Sequence, residues 1–264
     1  MNTISTDLYH VIGYPVKHSL SPKIQMQLAK EYNQKMLFTA VEVTPEDLEQ
    51  KIKEFKNNPN IKGLSVTVPH KEKVFAMCDD ADGLAKDVQA ASNVIFTDNR
   101  KMIALNYDGL GIVNDIKNNH KVAFTNKNIL IIGAGGAAKA VIAAIINEKP
   151  KSITISNRTK SKAEDIKKLF SYKFDISVED FDSIYGCYDI VINSTSASIN
   201  GEMLPIYGKN FSDNAFAYDL MYAEGGTVFT NWCSKEKIKS SDGKGMLLEL
   251  SKAAFSRWRG VNIR

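Results

Sequence analysis

With 264 residues, 44% of them hydrophobic and 24% charged, the chain has the composition of a soluble globular protein and length for one large domain or two ordinary ones. Its net charge of +4 is small and spread out, and the basic clusters at 160–168 and 235–244 lack interleaved aromatics, so they read as solvated helix faces and nucleic-acid binding is not expected. Cys78, Cys187 and Cys233 are odd in number and far apart, which suits reduced thiols in a cytoplasmic protein, and the chain shows no signal-peptide pattern and no uninterrupted apolar span for a membrane.

Leu8 to Gly13 reads as a first strand. Ser21-Pro22 then starts a helix, with Ser at the N-cap, Pro in first position, and Ile24, Leu28 and Tyr32 along one face. Leu37 to Val43 is a second strand, and a second helix starts at Thr44-Pro45-Glu46-Asp47 with an apolar stripe of Leu48, Ile52 and Phe55. Gly63 to Val68 is a third strand, closed by Pro69. The alternation predicts an α/β unit with parallel pairing. His70 to Ala90 reads as helix in two pieces, broken near 79–83. Asn93 to Phe96 and Met102 to Leu105 form a hairpin around Asp98-Asn99, and Asp108 to Asn119 is a linking helix.

The most specific stretch follows. Ile129 to Ile132 is an unbroken apolar run, Gly133, Gly135 and Gly136 form a turn, and an Ala-rich helical segment continues to Ile146. Gly133, Gly135 and Ala138 fit the Gly-x-Gly-x-x-Ala fingerprint of a dinucleotide fold, whose glycines let backbone N–H groups approach a pyrophosphate at a helix N-terminus. Strand and helix alternate again at 152–156, 159–170, 189–193 and 215–220, with helices at 227–237 and 244–258. The final helix shows Leu247, Leu250 or Ser251, Ala254 and Trp258 on one stripe. The segment 239–243 before it reads as a loop that returns the chain to the first domain.

An NAD-type fold ends its second strand with an acidic residue for the ribose 2′-OH. Here that strand ends in Asn157-Arg158-Thr159, with Lys162 one turn on, which suits a 2′-phosphate and points to NADP. Lys71 stands just past the C-terminal end of a strand, where open α/β sheets hold ligands and where partial desolvation suits proton transfer. Asp108 is its candidate partner, or the N-cap of the helix that follows. Ser19 and Ser21 offer two hydroxyls beside a helix start, as a carboxylate cradle, with simple capping the stronger alternative for Ser21. His10, His18, His70 and His120 have no metal-ligand spacing, and no metal is assigned.

These motifs, in order, resemble the shikimate dehydrogenase family over nearly the whole chain: Gly13-Tyr14-Pro15-Val16-Lys17-His18-Ser19-Leu20-Ser21-Pro22; Val66-Thr67-Val68-Pro69-His70-Lys71; Asn93; Asn106 with Asp108-Gly109; Gly133-Ala134-Gly135-Gly136-Ala137; Asn157-Arg158-Thr159; Tyr218-Asp219-Leu220-Met221-Tyr222; and Asp242-Gly243-Lys244-Gly245-Met246-Leu247. The resemblance implies two domains. Residues 1–107, completed by the C-terminal helix 243–264, would form a mixed α/β substrate domain, and 108–242 a doubly wound Rossmann domain that binds NADP. It implies reversible, NADPH-dependent reduction of 3-dehydroshikimate to shikimate, a step towards aromatic amino acids, in a monomer or homodimer. By motif, Lys71 would be the acid/base with Asp108 beside it. Ser19 and Ser21 would bind the substrate carboxylate, and Thr67, Asn93 and Tyr222 its ring or substituents. Gly133, Ala134, Gly135, Gly136 and Ala137 would hold the pyrophosphate. Asn157, Arg158, Thr159 and Lys162 would hold the adenosine 2′-phosphate, and Leu220 and Gly245 would line the nicotinamide pocket.

The departures fall mostly on the substrate side. Ser65 stands where the family has Asn, Tyr107 where it has Thr, and the family's Gly-Ala-x-Asn-Thr reads Ala90-Ala91-Ser92-Asn93-Val94. Leu250 occupies the place of a substrate-binding glutamine. Losing one such hydrogen bond costs on the order of 1 kcal/mol, or more if a substrate hydroxyl is left unpaired. These positions keep open a paralogue acting on quinate, an aminated shikimate or another cyclic hydroxy acid. A non-catalytic dinucleotide sensor is the third reading, and the retention of both Lys71 and Asp108 speaks against it.

Overall fold

A computed structural model describes residues 6–263. The chain divides into two compact units: residues up to Asp108 with those from Leu248 on, and Gly109–Leu247.

In the first unit, strands β1 (Asp7–Gly13), β2 (Met36–Glu42), β3 (Ile61–Val66), β4 (Asp80–Ala81), β5 (Asn93–Phe96) and β6 (Met102–Leu105) form one mixed sheet in the order β2-β1-β3-β5-β6-β4. The pairs β1–β2 and β1–β3 are parallel, whereas β5 is antiparallel to both β3 and β6. Helices α1 (Ser21–Glu31), α2 (Leu48–Asn57), α3 (Lys71–Ala76) and α4 (Gly83–Val88) connect the strands. The apolar stripe of α2, Leu48, Ile52 and Phe55, is buried against Ile12, Leu64 and Val94 of the sheet. Val11, Phe38, Leu28 and Phe255 fill a second core.

Two helix starts differ from the sequence expectation. The N-cap of α1 is Leu20, one residue before Ser21, and no side chain caps it. Instead Ser19 Oγ accepts from the Ser21 N–H at 3.3 Å. At α2 the helix begins only at Leu48, because Thr44 and Asp47 close a turn of their own, Thr44 Oγ1 accepting from the Asp47 N–H and donating to its carboxylate. Both are local side-chain bonds to backbone N–H groups at the helix start, Ser19 serving the first residue of α1 and Thr44 the N-cap of α2.

Arg100 closes the end of α2. Its guanidinium donates to the carbonyls of Phe55, Lys56 and Ile61 at 2.7–2.9 Å and stacks over Phe96. The last carbonyls of a helix lack the partners of its interior, and the Phe55 carbonyl has only the Asn58 N–H at 3.2 Å, so the arginine supplies further donors at this helix end. Arg100→Ala is expected to lower stability by about 2–3 kcal/mol, read as a fall in the urea midpoint at unchanged m.

The second unit holds β7 (Asn128–Ile132), β8 (Ser152–Asn157), β9 (Ile176–Asp180), β10 (Tyr188–Asn193), β11 (Phe211–Asp219) and β12 (Lys239–Ser241), all parallel, in the order β12-β11-β10-β7-β8-β9. Counted within the unit this is 6-5-4-1-2-3, the strand order of a doubly wound dinucleotide-binding sheet. Helices α5 (Asp108–Asn114), α6 (Gly136–Ile146), α7 (Lys160–Phe170) and α8 (Val228–Lys235) run between strands. Ile129 to Ile132 are fully buried, which explains an apolar run without alternation.

The segment read as the loop 239–243 contains β12, which pairs with β11 through Phe216–Lys239, Ala217–Ser240 and Tyr218–Ser241. Lys-Ser-Ser has no apolar pattern; an edge strand of three residues is defined by backbone pairing. The linking helix after Asp108 is also not uniform, because Asp115–Asn119 is a π-helical turn. It buries the Asp115 carboxylate, which accepts from Tyr218 Oη at 2.6 Å and Asn119 Nδ2 at 2.7 Å.

The last helix, α9 (Lys244–Arg259), starts in the second unit and ends in the first. Its buried face in the first unit is Ser251, Ala254 and Phe255, with Trp258 against Tyr9 at 4.9 Å and donating to the Val94 carbonyl. Of the two options for the stripe, Ser251 is buried, and Leu247 and Leu250 are half-exposed. Among the described residues no helix is long and apolar enough to cross a membrane.

Candidate active site

In the first unit the C-terminal ends of β1 and β3 come together. The Thr67 N–H donates to the Ile12 carbonyl and the Tyr14 N–H to the Val68 carbonyl, so the two turns after these strands lie side by side. Lys71, the first residue of α3, directs its ammonium at Asp108, with Nζ 2.5 Å from Oδ2. The Asp108 side chain is 3% exposed and that of Lys71 15%. Such a pair is held by mutual need, since either charge alone would be buried without compensation.

Asp108 therefore spends its carboxylate on Lys71. Its N–H is taken by Asn106 Oδ1 at 3.0 Å, and Asn106 Nδ2 donates to the Ala90 carbonyl. Asn106 is the residue the chemical reading passed over; an Asn two places before the first residue of a helix is the signal that finds it.

Asn93 is fully buried, with Nδ2 on Ser65 Oγ and Oδ1 accepting from Ser92 Oγ, both at 3.0 Å. Thr67 is half-buried. Ser21 is buried and Ser19 half-buried, and the Ser19 hydroxyl, having accepted from Ser21, keeps its proton to donate.

In the second unit Gly133 follows β7 at a φ of +114°, and its N–H bonds the Ser156 carbonyl at the end of β8. Ser194, after β10, donates through both N–H and Oγ to the Ile132 carbonyl at 2.8 Å. These loops flank the point where the strand order reverses, the ligand crevice of such sheets. The N-cap of α6 is Gly135, with no side-chain cap, and the space where its Cβ would point is open. A helix start whose N-cap is a glycine beside open space suits a pyrophosphate. Ala134 and Ala138 are buried, Gly136 and Ala137 half-buried.

Arg158, Thr159 and Lys162 are exposed after β8, and Asn157 Nδ2 donates to the Thr159 carbonyl, shaping this turn. Asp180 ends the neighbouring β9 opposite Asn157 and is paired with Lys160 at 2.7 Å. Leu220 is buried after β11, Tyr222 half-buried, and Gly245 packs against the Asp115 carboxylate in the first turn of α9. The Met246 N–H donates to Tyr218 Oη, so Asp115 and Tyr218 brace that turn.

A model of the shikimate dehydrogenase substrate-binding domain matches residues 11–95, and one of shikimate/quinate 5-dehydrogenase matches 115–204. The shikimate dehydrogenase (NADP(+)) of Hahella chejuensis is 37% identical, with 97% of this chain and 94% of that protein covered. The chain belongs to the shikimate dehydrogenase family. The crystal structure of shikimate dehydrogenase from Aquifex aeolicus is similar with a TM-score of 0.86 and 32% identity over 100% of this chain and 96% of that one. A shikimate dehydrogenase solved in complex with NADP+ is 30% identical, with a TM-score of 0.86 over 97% of this chain and 91% of that chain.

Of the departures expected from the sequence, Ser65, Tyr107 and Leu250 have defined surroundings. Ser65 is the hydroxyl that receives the Asn93 amide. Tyr107 is half-buried, and burial pushes its phenol above the ordinary range, with nearby Arg257 pulling it back. It stays neutral at physiological pH. Leu250 is half-buried on α9. One residue on, the Ser251 carbonyl accepts from the buried Gln25 Nε2 at 3.0 Å, which ties α1 to this helix.

Proposed function

We propose that this protein is an NADP-dependent shikimate dehydrogenase that interconverts 3-dehydroshikimate and shikimate on the route to aromatic amino acids. The buried Lys71–Asp108 pair carries the reading, because it joins an ammonium in the part of the chain that matches the family's substrate-binding domain to an orienting carboxylate just beyond that part. The residues up to 107 and the C-terminal helix take the substrate, and 108–242 the dinucleotide.

NADP, when bound, supplies and accepts the hydride at C3 of the substrate. Lys71 works on the oxygen of the same carbon. In reduction its ammonium gives a proton to the C3 oxygen, and in oxidation the neutral amine takes that proton back. Asp108 keeps the ammonium aimed and offsets its charge. Ser19 and Ser21 donate to the substrate carboxylate, while Thr67, Asn93 and Tyr222 meet the ring substituents. The α6 start from Gly133 to Ala137 holds the pyrophosphate, and Leu220 and Gly245 border the nicotinamide. The enzyme acts in the cytoplasm on small molecules, as a monomer or homodimer, without nucleic acid, membrane or metal.

Arg158, with Asn157, Thr159 and Lys162, binds the 2′-phosphate. Arg158→Ala is expected to raise the KM for NADP about 10- to 100-fold and to leave that for NAD within about threefold, since a charge-assisted bond to phosphate is worth roughly 1.5–3 kcal/mol. Equal effects on the two cofactors would remove Arg158 from the phosphate site.

Ser65, Tyr107 and the half-buried Leu250 favour a second reading, a relative that oxidises a different cyclic hydroxy acid. NADP reduction measured over shikimate, quinate and aminated shikimate decides between them. The first reading requires the highest kcat/KM on shikimate; a higher value on another acid establishes the second.

A further inference from the structure

We propose that Ser92 is a positioning residue for the Lys71–Asp108 pair and for the Asn93 amide, acting through two hydrogen bonds that its one hydroxyl makes at once. The proposal rests on the proton-transfer role given above to Lys71. Ser92 is 5% exposed and its backbone is locked on both sides: its N–H donates to the Leu105 carbonyl at 2.9 Å, and its carbonyl accepts from the Val66 N–H at 2.8 Å. The hydroxyl is thereby held at a fixed point between the ends of β3 and β6.

From that point it reaches two groups. Oγ accepts from the Tyr107 N–H at 2.9 Å and donates to Asn93 Oδ1 at 3.0 Å. A hydroxyl has one proton and two lone pairs, so both bonds form together. Each has a consequence.

The bond to Asn93 sets the direction of a relay. With its oxygen facing the Ser92 proton, the amide turns its nitrogen to Ser65 Oγ. An Asn amide is nearly symmetric in shape, and only its partners decide which end is which. The relay leaves one Nδ2 proton and the Ser65 hydroxyl proton as donors, which suits an oxygen acceptor on a ligand.

The bond to Tyr107 acts on the acid/base pair. Tyr107 directly precedes Asp108. The segment Asn106-Tyr107-Asp108 is fastened at three successive residues, through Asn106 Nδ2 to the Ala90 carbonyl, the Tyr107 N–H to Ser92, and the Asp108 N–H to Asn106. The Ala91 N–H meanwhile donates to the Lys71 carbonyl at 2.9 Å. Residues 90–92 thus touch the backbone of Lys71 on one side and the approach to Asp108 on the other. Ser92 is the member of that segment whose side chain makes the connection. Proton transfer depends steeply on the placement of donor and acceptor, so loosening this turn lowers turnover without removing either charged group.

Ser92→Thr and Ser92→Val test this, because they match in shape and only one keeps the hydroxyl. In NADP-linked oxidation of shikimate, Ser92→Val is expected to lower kcat about tenfold, through the turn before Asp108, and to raise KM about three- to tenfold, through the Asn93 amide, while Ser92→Thr stays within about threefold of wild type in both. Equal losses in the two variants, no loss in either, or a loss confined to KM would overturn the proposal. Because both add bulk to a buried place, hydrogen exchange supplies a second measurement: the Tyr107 amide is expected to be protected in the wild type and to exchange at least about tenfold faster in Ser92→Ala. An unprotected Tyr107 amide in the wild type, or one that Ser92→Ala does not change, also overturns it. Should the wild type turn over none of the acids, the reading of its function falls, and the exchange result still decides whether the Ser92 bond exists.

Discussion

Lys71→Ala should reduce kcat/KM for shikimate about 10³-fold, the loss typical of a positioned acid/base group, while NADP still binds. The same change exposes the cost of the pair. Asp108 has a side chain only 3% exposed and would be left as a buried carboxylate with no counter-ion. The expected destabilisation is about 3 kcal/mol, read from the denaturant midpoint. The double variant Lys71→Met with Asp108→Asn removes both charges and should recover most of that stability with none of the activity. The contrast separates the two roles: stability follows charge balance, and turnover follows the ammonium. Wild-type turnover in Lys71→Ala would move the acid/base role to another residue. Unchanged stability would show that water reaches Asp108 and solvates it.

Gly133→Ala should be the most damaging change in the dinucleotide turn. At a φ of +114° an alanine is strained, and its Cβ would stand 2.5 Å from Ser194 Oγ and 3.1 Å from the Ser194 carbonyl carbon. Strain of about 1–3 kcal/mol and a clash with backbone add, so a loss of roughly 3 kcal/mol or more is expected, together with loss of the thermal stabilisation that NADP confers. Gly135→Ala is the control. Its φ is −94° and nothing lies within 4 Å of the added Cβ, so the variant should fold as well as the wild type. It should weaken only NADP binding, because the methyl group enters the space proposed for the pyrophosphate. If both variants melt together, the turn serves the fold alone and the pyrophosphate lies elsewhere.

The parts of this protein that were legible in its sequence are those whose cause is local. The strand, turn and helix around Gly133 follow from an apolar run, three glycines and a row of alanines within twenty residues. The placement of Arg158, exposed directly after β8, was legible for the same reason, since a dinucleotide fold reserves that place for a ribose-recognising residue. The hairpin β5–β6 and the stripe of α2 were likewise written in neighbouring residues. Edge strands β9 and β12 were not, since a short strand at the rim of a sheet is made by the backbone of its neighbour and leaves little pattern in side chains. Helix starts shift where a side-chain oxygen a few residues upstream takes the N–H that opens the helix, as Ser19 does for Ser21 and Thr44 for Asp47.

Local patterns in the chain were enough to read two α/β units, a dinucleotide turn in one with an arginine where a ribose acid would stand, and Lys71 in the other, with Asp108 read as the first residue of the dinucleotide domain. The folded chain puts Lys71 and Asp108 in one unit and brings them together across 37 residues, with the Asp108 carboxylate committed to the lysine and not to a helix cap. It also joins Ser92 to Tyr107 and Asn93 to Ser65, across 15 and 28 residues. The reason is the same in each case. A hydroxyl or an amide can bond many partners, and which one it takes depends on distances of a few tenths of an ångström, which arise only when strands far apart in sequence are laid side by side.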